Sequence, residues 1–544
     1  MPGTATDPFF LLDSPTQEET WLSFPPLPRD ANILLVWPRF KPSFWGLDSM
    51  MPITPEKAVL PPLSLVTLAA LLPPGWRVRL VDCAFEPLTD RDILGAELVM
   101  VSAMHAQRAD THEILARCAR LGRRTIVGGP YCSSQPEELL LHADHVVAGE
   151  VDRAFSQISA DFESGRARRL YRIHEKPDVR STPVPRFDLL QLDKYAVMPI
   201  QFCRGCPYQC EFCDIITIYG RVPRTKRPQQ VLDELETLYR LGWRKQVFLV
   251  DDNFIGNHVA ALQLTRDLAQ WQRRRNYPVT FYTQASIDLS GRTELLDAMV
   301  EAGFLYVFIG IETPSEEALR ETKKFQNLRQ DTFQQIRTIQ RRGLWVTAGF
   351  IVGFDSDDER IFDRQLEFIE RAAIPWAMVG MLIAAPTTPL FDRLRREGRL
   401  IQESRSTTNY DPPNFRTTLP PDILLGGVQR MLRELYRPET YFRRAVRSLA
   451  VWHPRRATRF PGPSFWYRVR VVLKSVFYQG LRSSYRRHYW RFLATLLRRW
   501  PRDPARLWLG FIILLSAHHF LAYSMQVVAE LERSKEPGRP IPGG

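Results

Sequence analysis

Short apolar runs alternate with helical patterns in two stretches of the chain, and this alternation limits the possible folds more than any other feature. Buried parallel strands read as continuous runs of Val, Ile and Leu, and each is joined to the next by a crossover that is usually a helix. Residues 31–165 contain five such runs, and residues 196–400 contain six. The sequence therefore predicts two α/β units, each built on a parallel sheet.

The first stretch is predicted to form a doubly wound, Rossmann-like domain over residues 31–165, after a Pro-rich N-terminal arm over residues 1–30. Ligands bind such sheets at the carboxyl ends of the strands. A structural turn explains a Gly-Gly-Pro sequence equally well. The predicted strands are 33–37, 78–82, 98–103, 125–129 and 145–149, and the candidate binding residues at their ends are Ser102, Gly128, Gly129 and Pro130.

The second stretch, residues 196–400, is predicted to form a partial (β/α)6 barrel of the TIM type, and a polar, Pro-containing linker over residues 166–195 precedes it. In such barrels the chemistry collects at the carboxyl ends of the strands. The predicted strands are 197–202, 246–254, 279–286, 305–312, 344–354 and 377–386, and the polar residues at their ends include Asp251, Asp252, Ser286 and Glu312.

The last section, residues 401–544, is predicted to be a basic, aromatic-rich and mainly helical C-terminal domain. Residues 421–544 carry 23 Lys and Arg against 7 Asp and Glu, whereas the preceding 420 residues carry 50 against 53. Arginines recur beside Trp and Leu at helical spacing, which is typical of helices that lie on a membrane surface. The apolar stretch 507–517 is too short to span a bilayer. Peripheral membrane binding is predicted, with a solvated basic face or a nucleic-acid-binding surface as the alternatives.

Four of the seven cysteines lie within residues 203–213, after the first predicted barrel strand. The spacing Cys206-x3-Cys210-x2-Cys213 places three thiolates close together, and three thiolates can bind three irons of a cubane cluster and leave the fourth iron open. A zinc site that also uses Cys203 is the alternative, but structural zinc sites more often pair two separated Cys-x2-Cys segments. Clustered thiols and the lack of a basic segment before an apolar run predict a reducing, cytoplasmic location. The peripheral membrane binding predicted from the C-terminal section would then be on the inner face of the cytoplasmic membrane.

This cysteine spacing, with Phe212 directly before the last cysteine, resembles the signature of the radical S-adenosylmethionine (radical SAM) superfamily. The resemblance implies a 4Fe-4S cluster on Cys206, Cys210 and Cys213, with SAM on the open iron and Cys203 as a non-ligand residue. For Asp251, Asp252, Ser286 and Glu312, ordinary capping of the strand ends is the alternative role. The residues that the resemblance places beside SAM are Phe212, Asp251, Asp252, Ser286 and Glu312.

A doubly wound domain with VGGP and VAGE segments, placed before such a barrel, resembles the cobalamin-binding class of radical SAM enzymes. The resemblance implies that Ser102, Gly128, Gly129 and Pro130 border cobalamin. The Asp-x-His-x-x-Gly segment whose histidine ligates cobalt in other cobalamin proteins is missing from the sequence. His105, near the end of the third predicted strand, is more simply explained as a structural histidine.

The segments YGRVPRTKRPQQVLDELETLYRLGW, VDDNFIGN, TAGFIVGFD and APTTPLFDRL resemble the hopanoid 2-methylase-like subfamily over about residues 200–400. This implies a cobalamin-dependent radical SAM methyltransferase that methylates an unactivated carbon of a lipid or other hydrophobic substrate, with a hopanoid-like lipid favoured. It also implies a low-potential ferredoxin or flavodoxin as reductant. Two alternatives stay open: a radical SAM cyclase or oxidoreductase acting on a tetrapyrrole or natural product, and an RNA-modifying or RNA-binding Fe-S protein, for which a nucleic-acid partner is less expected.

Overall fold

The computed structural model describes residues 24–401, 408, 410–454 and 465–533. Their contacts group them into two compact units. The first, here called the N-terminal unit, contains residues 24–39, 64–177 and 181–189. The second, here called the barrel unit, contains residues 40–63, 178–180 and the described residues from 190 onward.

The N-terminal unit is built on a parallel six-stranded sheet with the order β2-β1-β3-β4-β5-β6. This order reverses direction between β1 and β3, and doubly wound sheets bind ligands at such a switch point, outside the carboxyl ends of the strands. The predicted doubly wound fold is confirmed. The strands are β1 Asn32–Trp37, β2 Arg77–Asp82, β3 Leu98–Ser102, β4 Thr125–Gly128, β5 His145–Ala148 and β6 Leu170–Arg172, and the helices are α1 Leu63–Ala69, α2 Asp90–Leu94, α3 Arg108–Arg120, α4 Pro130–Ser134, α5 Pro136–Leu139 and α6 Phe155–Glu163.

The division of the chain differs from the predicted boundaries. The predicted linker over residues 166–195 contains β6, whose Leu170 and Tyr171 are buried against the first sheet. Residues 40–63, predicted to lie in the first domain, belong to the barrel unit. In the predicted arm, residues 1–23 lie outside the described residues, and the Leu27 N–H donates to the Phe162 carbonyl at 2.9 Å. These differences arise because three-residue strands and irregular segments carry no hydrophobic period.

The barrel unit contains the predicted second parallel sheet, with the order β14-β13-β12-β11-β10-β7. All six strands are parallel, and a short antiparallel pair, β8 with β9, frames the segment that holds the cysteines. The predicted partial barrel is confirmed. Its strands are β7 Val197–Ile200, β8 Cys203–Arg204, β9 Arg224–Thr225, β10 Gln246–Leu249, β11 Thr280–Ala285, β12 Phe304–Glu312, β13 Trp345–Val352 and β14 Ala377–Met381, and its helices are α7 Ile215–Ile218, α8 Pro228–Arg240, α9 His258–Arg274, α10 Thr293–Ala302, α11 Glu316–Glu321, α12 Thr332–Arg342, α13 Ile361–Ala372 and α14 Pro389–Arg396.

The C-terminal section is helical, as predicted, and its described part contains no strand. It packs on the barrel rather than forming a separate compact unit. The Trp345 indole donates to the Ser448 hydroxyl at 2.7 Å, and the Trp452 indole donates to the Gly343 carbonyl at 2.7 Å. The helices are α15 Pro421–Leu435, α16 Pro438–Val451, α17 Phe465–Ser475, α18 Arg486–Arg499 and α19 Pro504–Arg533, and a π-helix covers Val476–Leu481 between α17 and α18.

The last helix is longer than its apolar stretch suggests. Helix α19 runs for 30 residues and is, by length and composition, the one described helix long and apolar enough to cross a membrane. In its most apolar window, however, 67% of the residues are buried inside the protein, as expected for a core helix. The Ser516 hydroxyl accepts a hydrogen bond from the Trp376 indole at 3.0 Å, and Phe520 packs against the same indole. The apolar stretch is thus part of a helix that packs on the barrel.

A buried arginine joins the C-terminal helices to the barrel, and its removal should lower stability. Arg444 in α16 is fully buried, contacts Glu370 at 2.5 Å and donates to the Leu435 carbonyl at 2.8 Å. Because Arg444→Ala leaves Glu370 and this carbonyl without that donor, we expect it to reduce the free energy of unfolding by about 2–4 kcal/mol in urea denaturation. Arg443→Ala is the matched control: Arg443 is exposed and 3.9 Å from Glu370, so a loss below about 1 kcal/mol is expected. Equal losses in the two variants would contradict this role of Arg444.

Candidate functional site: the cysteine loop

The backbone of the cysteine loop, residues 201–214, is held by the neighbouring strand. The Phe202 and Cys203 N–H groups both donate to Asp251 Oδ1 at 2.8 Å, and the Gly205 N–H donates to Asp252 Oδ2 at 2.9 Å. Both aspartates follow β10, which pairs with β7 just before the loop. Burial raises the pKa of Asp251 to about 7, although the two N–H donors act in the opposite direction. The loop therefore has a fixed position relative to the end of the sheet.

One glycine lets the loop turn between its first two cysteines. Gly205 has a φ of +92°, a region that side chains other than glycine rarely adopt. A Cβ on Gly205 would also lie 2.8 Å from the Gly220 carbonyl oxygen. Glycine at this position lets the chain pass from Cys203 in β8 into the segment that begins at Cys206.

Two side-chain amides donate to the predicted ligand sulfurs. Asn253 Nδ2 lies 3.9 Å from Cys206 Sγ, and Gln326 Nε2 lies 3.6 Å from Cys210 Sγ. Hydrogen bonds to ligand sulfurs are one means by which proteins adjust the potential of an Fe-S cluster. Neither amide is among the residues predicted from the sequence. Asn253 directly follows the aspartate pair and could have been found there, whereas no pattern marks Gln326.

The donor set fits a cubane cluster better than a single metal ion. Within the described part of the chain, no three His, Cys, Asp or Glu side chains converge as the ligands of one ion would. A mononuclear zinc site requires that convergence. A cubane binds each thiolate through a different iron, so its ligands stand further apart. Cys206, Cys210 and Cys213 are the residues that would hold it.

The fourth cysteine of the segment has a different environment. Cys203 is buried in β8, its N–H bonds to Asp251, and its Sγ lies 3.8 Å from the Arg204 carbonyl oxygen. These contacts hold Cys203 beside Asp251, and its pairing with Thr225 places it in the β8–β9 pair. Its predicted role as a non-ligand residue stays a prediction.

The residues predicted to border SAM lie around the loop, with two different kinds of contact. Asp251 and Asp252 bind loop backbone, which is the strand-end capping role named as their alternative. Ser286, after β11, accepts a hydrogen bond from Asn253 Nδ2 at 3.1 Å, so one amide contacts both this hydroxyl and Cys206. Contact with SAM stays a prediction for all of them.

Glu312 and Phe212 are connected through a lysine that the sequence analysis did not identify. Glu312 ends β12 with a φ of +65° next to a shift in strand register, and such irregularities re-aim side chains beside functional sites. Its carboxylate forms a buried ion pair with Lys324. The Lys324 Nζ also lies 5.8 Å from the centre of the Phe212 ring. Lys324 follows α11 in an irregular segment, so no periodicity marks it.

The predicted cobalamin-binding residues lie together at the carboxyl edge of the N-terminal sheet. Ser102 and Gly128 are register partners at the ends of β3 and β4, and Pro130 begins α4. Gly129 has a φ of +103°, and a Cβ there would lie 2.7 Å from the Ala103 carbonyl oxygen. Ser102 ends β3 at the switch point and the other three residues lie at or just after the end of the adjacent strand β4, so small residues at this edge allow a large ligand to approach the backbone. These residues therefore fit a cobalamin site.

The contacts of His105 support a structural role. Its Nε2 lies 2.7 Å from the Ser134 hydroxyl, and its ring packs against Tyr131 with 5.0 Å between centroids. Burial lowers the pKa of His105 to about 4, so the imidazole is neutral at neutral pH. Ser134 thus occupies one of the two ring nitrogens, and the packing against Tyr131 holds the ring in place.

Comparisons with known proteins agree with this arrangement. Residues 56–159 match the B12 binding domain, residues 200–369 match the radical SAM superfamily, and residues 388–533 match a domain of unknown function, DUF4070. The chain is 41% identical to an uncharacterized methyltransferase of Synechocystis sp. (strain ATCC 27184 / PCC 6803 / Kazusa), over 92% of this chain and 93% of the relative. It is 33% identical to the hopanoid C-2 methylase of Rhodopseudomonas palustris (strain TIE-1), over 91% of this chain and 94% of the relative.

A solved structure shows the same fold. The cobalamin-dependent S-adenosylmethionine radical enzyme OxsB, with aqua-cobalamin bound, aligns with a TM-score of 0.59 at 16% identity, over 93% of this chain and 81% of that chain. The fold and the matched domains thus define a radical SAM enzyme of the cobalamin-binding class.

Within that class, the chain belongs to the hopanoid 2-methylase-like family of cobalamin-dependent radical SAM methyltransferases. Its cofactors are a 4Fe-4S cluster, SAM and cobalamin. As a radical SAM enzyme, it also needs a reductant and a substrate.

Substitution of the loop cysteines tests the assignment of the cluster ligands. Changing Cys206, Cys210 or Cys213 to Ala should remove one iron ligand each, so we expect anaerobically reconstituted variants to lose reductive SAM cleavage and most of the roughly four bound irons. Cys203→Ala is the matched control from the same loop and should keep both. Iron content and 5′-deoxyadenosine release are the measurements. A Cys203→Ala variant as inactive as Cys206→Ala, or zinc in place of iron, would refute the assignment.

Proposed function

We propose that the protein methylates an unactivated carbon of a lipid, and that a hopanoid-like lipid is its substrate. The observation that carries this proposal is the 33% identity to the hopanoid C-2 methylase, which extends over 91% of the chain and so includes the C-terminal helices. A match restricted to the barrel would support the reaction type alone, because the barrel is shared by enzymes with many substrates.

The chemistry of the substrate explains the need for these cofactors. An unactivated carbon has no lone pair to attack an electrophilic methyl group, so simple polar transfer is not available. When bound, the cluster, SAM and cobalamin supply radical formation and a carried methyl group. The residues of the chain position these groups: Asp251 and Asp252 fix the loop backbone, and Asn253 links Ser286 to Cys206. Groups fixed in advance by the fold need little reorganisation during the reaction.

We further propose a low-potential ferredoxin or flavodoxin as the electron donor. Fe-S clusters of this kind operate at low potential, and small electron-transfer proteins of matching potential are the usual class of donor. Such encounters are transient and use small interfaces, so no large preformed docking surface is required.

Products from cells test the proposed reaction. The protein is expressed in a bacterium that makes unmethylated hopanoids and is fed methyl-deuterated methionine. The cells should then yield a hopanoid in which one CD3 group replaces a hydrogen atom. The measurement is mass spectrometry of extracted lipids. The Cys210→Ala variant controls for background, because it should lack the reductive chemistry altogether. A labelled tetrapyrrole or RNA with unlabelled lipids would overturn the proposal and favour one of the alternative substrate classes.

We propose that the protein binds the inner face of the cytoplasmic membrane through α17, the π-helix and α18, here called the basic aromatic surface. Large apolar side chains are exposed on this surface: Phe465, Trp466, Leu473, Leu481 and Trp490. Arginines lie between them, and Arg470, Arg486, Arg487 and Arg491 form no ion pair with any residue that the structure describes. Apolar side chains that insert and free cations that attract anionic lipid are the two requirements for peripheral binding.

Vesicle flotation tests membrane binding. The double variant Trp466→Glu/Leu473→Glu should bind vesicles containing anionic lipid at least about tenfold more weakly, because it removes two inserting side chains and adds repelling charge. Val259→Glu is the matched control, since Val259 is 69% exposed but lies on α9, outside the basic aromatic surface. Wild-type binding should rise with anionic lipid and weaken in high salt. Wild-type protein that floats with no vesicle composition would contradict the proposal.

A further inference from the structure

A cavity of about 1290 Å³ lies within the barrel unit. It exceeds the roughly 300–1,000 Å³ typical of small-molecule sites, so it has room for a ligand of lipid size. Inward-facing residues of the strands form one wall, and residues 45–60, α17 and α19 form the other. The strand residues include Phe248, Tyr282, Tyr306, Phe308, Thr347 and Met378.

Most of the cavity wall is apolar or aromatic, but one end carries a polar cluster. Lys245 Nζ lies 2.6 Å from Glu56 Oε1, and the Tyr467 hydroxyl donates to the same carboxylate at 2.9 Å. Lys245 also donates to the Tyr195 carbonyl at 3.0 Å, so these contacts use two of its three N–H donors. Because Lys245 directly precedes β10, this polar cluster marks the amino end of the barrel. It can hydrogen-bond a single polar group on an otherwise apolar ligand.

The opposite end of the cavity approaches the cysteine loop. Thr280 pairs with Gln246 at the start of the strands, and Gln284, four residues further along β11, also lines the cavity. At the rise of a β-strand this is a length of about 13 Å. Ser286 is two residues, about 7 Å, beyond Gln284 and shares Asn253 with Cys206. A ligand lying along the strands would therefore extend from the polar cluster towards the predicted SAM site.

The cavity opens beside the basic aromatic surface. Arg468 and Val472 of α17 line the cavity and are also exposed, which places an opening along this helix. Phe465 and Trp466, at the start of the same helix, are exposed and are not among the lining residues. One helix therefore borders the opening and contributes to the surface that we propose to contact the membrane.

We infer that the barrel cavity is the binding site of the lipid substrate, which enters beside α17 from the membrane. The ligand is an apolar, elongated molecule with one hydroxyl-type polar group. That group bonds to the cluster of Glu56, Lys245 and Tyr467, and the apolar body extends towards Gln284. This inference rests on the proposed lipid substrate and adds where and in which direction the lipid binds.

Binding of two probe lipids to the holoenzyme tests the cavity without requiring catalysis. Tritiated cholesterol, delivered from cyclodextrin, has a rigid apolar body with one hydroxyl, and 5α-cholestane is the same body without it. Val472→Trp places bulk at the opening and should weaken binding of both probes at least tenfold. The matched control is Val259→Trp, an exposed valine on α9 that neither lines the cavity nor belongs to the basic aromatic surface, and binding within twofold of wild type is expected. Equal effects of the two variants, or no saturable binding to wild type, would overturn the inference.

The polar end is tested by Tyr467→Phe, which removes one hydroxyl and leaves Glu56 paired with Lys245. Loss of one hydrogen-bonding group should weaken cholesterol binding roughly three- to tenfold and leave cholestane binding unchanged. Equal weakening of both probes would refute the assigned orientation.

Failure of the inference can be told apart from failure of the proposed function. If cavity binding responds as expected but cells make no methylated lipid, the proposed function is wrong. If methylated lipid forms equally with wild type and Val472→Trp, the cavity assignment is wrong and the proposed function stands.

Discussion

Two adjacent carboxylates hold the loop that carries the cluster cysteines, and the rest of the site is built around this contact. Asp251 and Asp252 accept three backbone N–H groups from the segment that follows β7. Hydrogen bonds contribute roughly 0.5–1.5 kcal/mol each, and about 1.5–3 kcal/mol when the acceptor is ionised. Asp251, however, is fully buried, which raises its pKa to about 7, and its Oδ2 has no partner among the described residues. Burial of a carboxyl group with one unpaired oxygen lowers stability, so its contribution is the position of the backbone it binds rather than net stability. Here it fixes the loop, and the next residue, Asn253, contacts both Cys206 and Ser286.

The parallel sheets were predictable because burial on both faces gives each strand a continuous apolar run. Leu98–Ser102 and Trp345–Val352 show this most plainly, since nearly every residue in them is buried. The cysteine loop was predictable as well, because the spacing of its cysteines is a local feature of the sequence. Strand β6 was not predicted, because a strand of three residues is too short to show a hydrophobic period. Residues 40–63 were assigned to the wrong unit, because the sequence of an irregular segment does not indicate which sheet it packs against. The contact of Glu56 with Tyr467 spans 411 positions, so no local pattern could predict it.

Charge counted from the sequence overstates how much positive surface the C-terminal helices expose. Arg444 is fully buried against Glu370, Arg506 pairs with Asp503 and Arg433 pairs with Glu532. Arg444 stabilises the packing of α16 on the barrel, and all three arginines lie beside a carboxylate, so they contribute little to an external field. The proposed membrane contact therefore involves α17 and α18, where Arg470, Arg486, Arg487 and Arg491 form no ion pair with any described residue and lie beside exposed aromatic side chains. Among the described residues, the proposed membrane contact thus involves one pair of helices and the π-helix between them, rather than all 124 residues that carry the charge excess.

The C-terminal helices also complete the barrel, and this bears on how substrates are selected. A six-stranded parallel sheet does not close on itself, and β7 and β14 are its edges. Side chains of α17 and α19 close the cavity opposite the strands, including Val471, Phe511 and Phe520. A reactive radical has to be kept from water, so whatever closes the cavity around the substrate also protects the intermediate. On the proposed function, the strand ends carry the residues for the chemistry, and the C-terminal helices that line the cavity supply much of the surface that a substrate touches. On the proposed function, a change of substrate among related enzymes requires changes in these helices, while the cysteine loop and its two aspartates remain as they are.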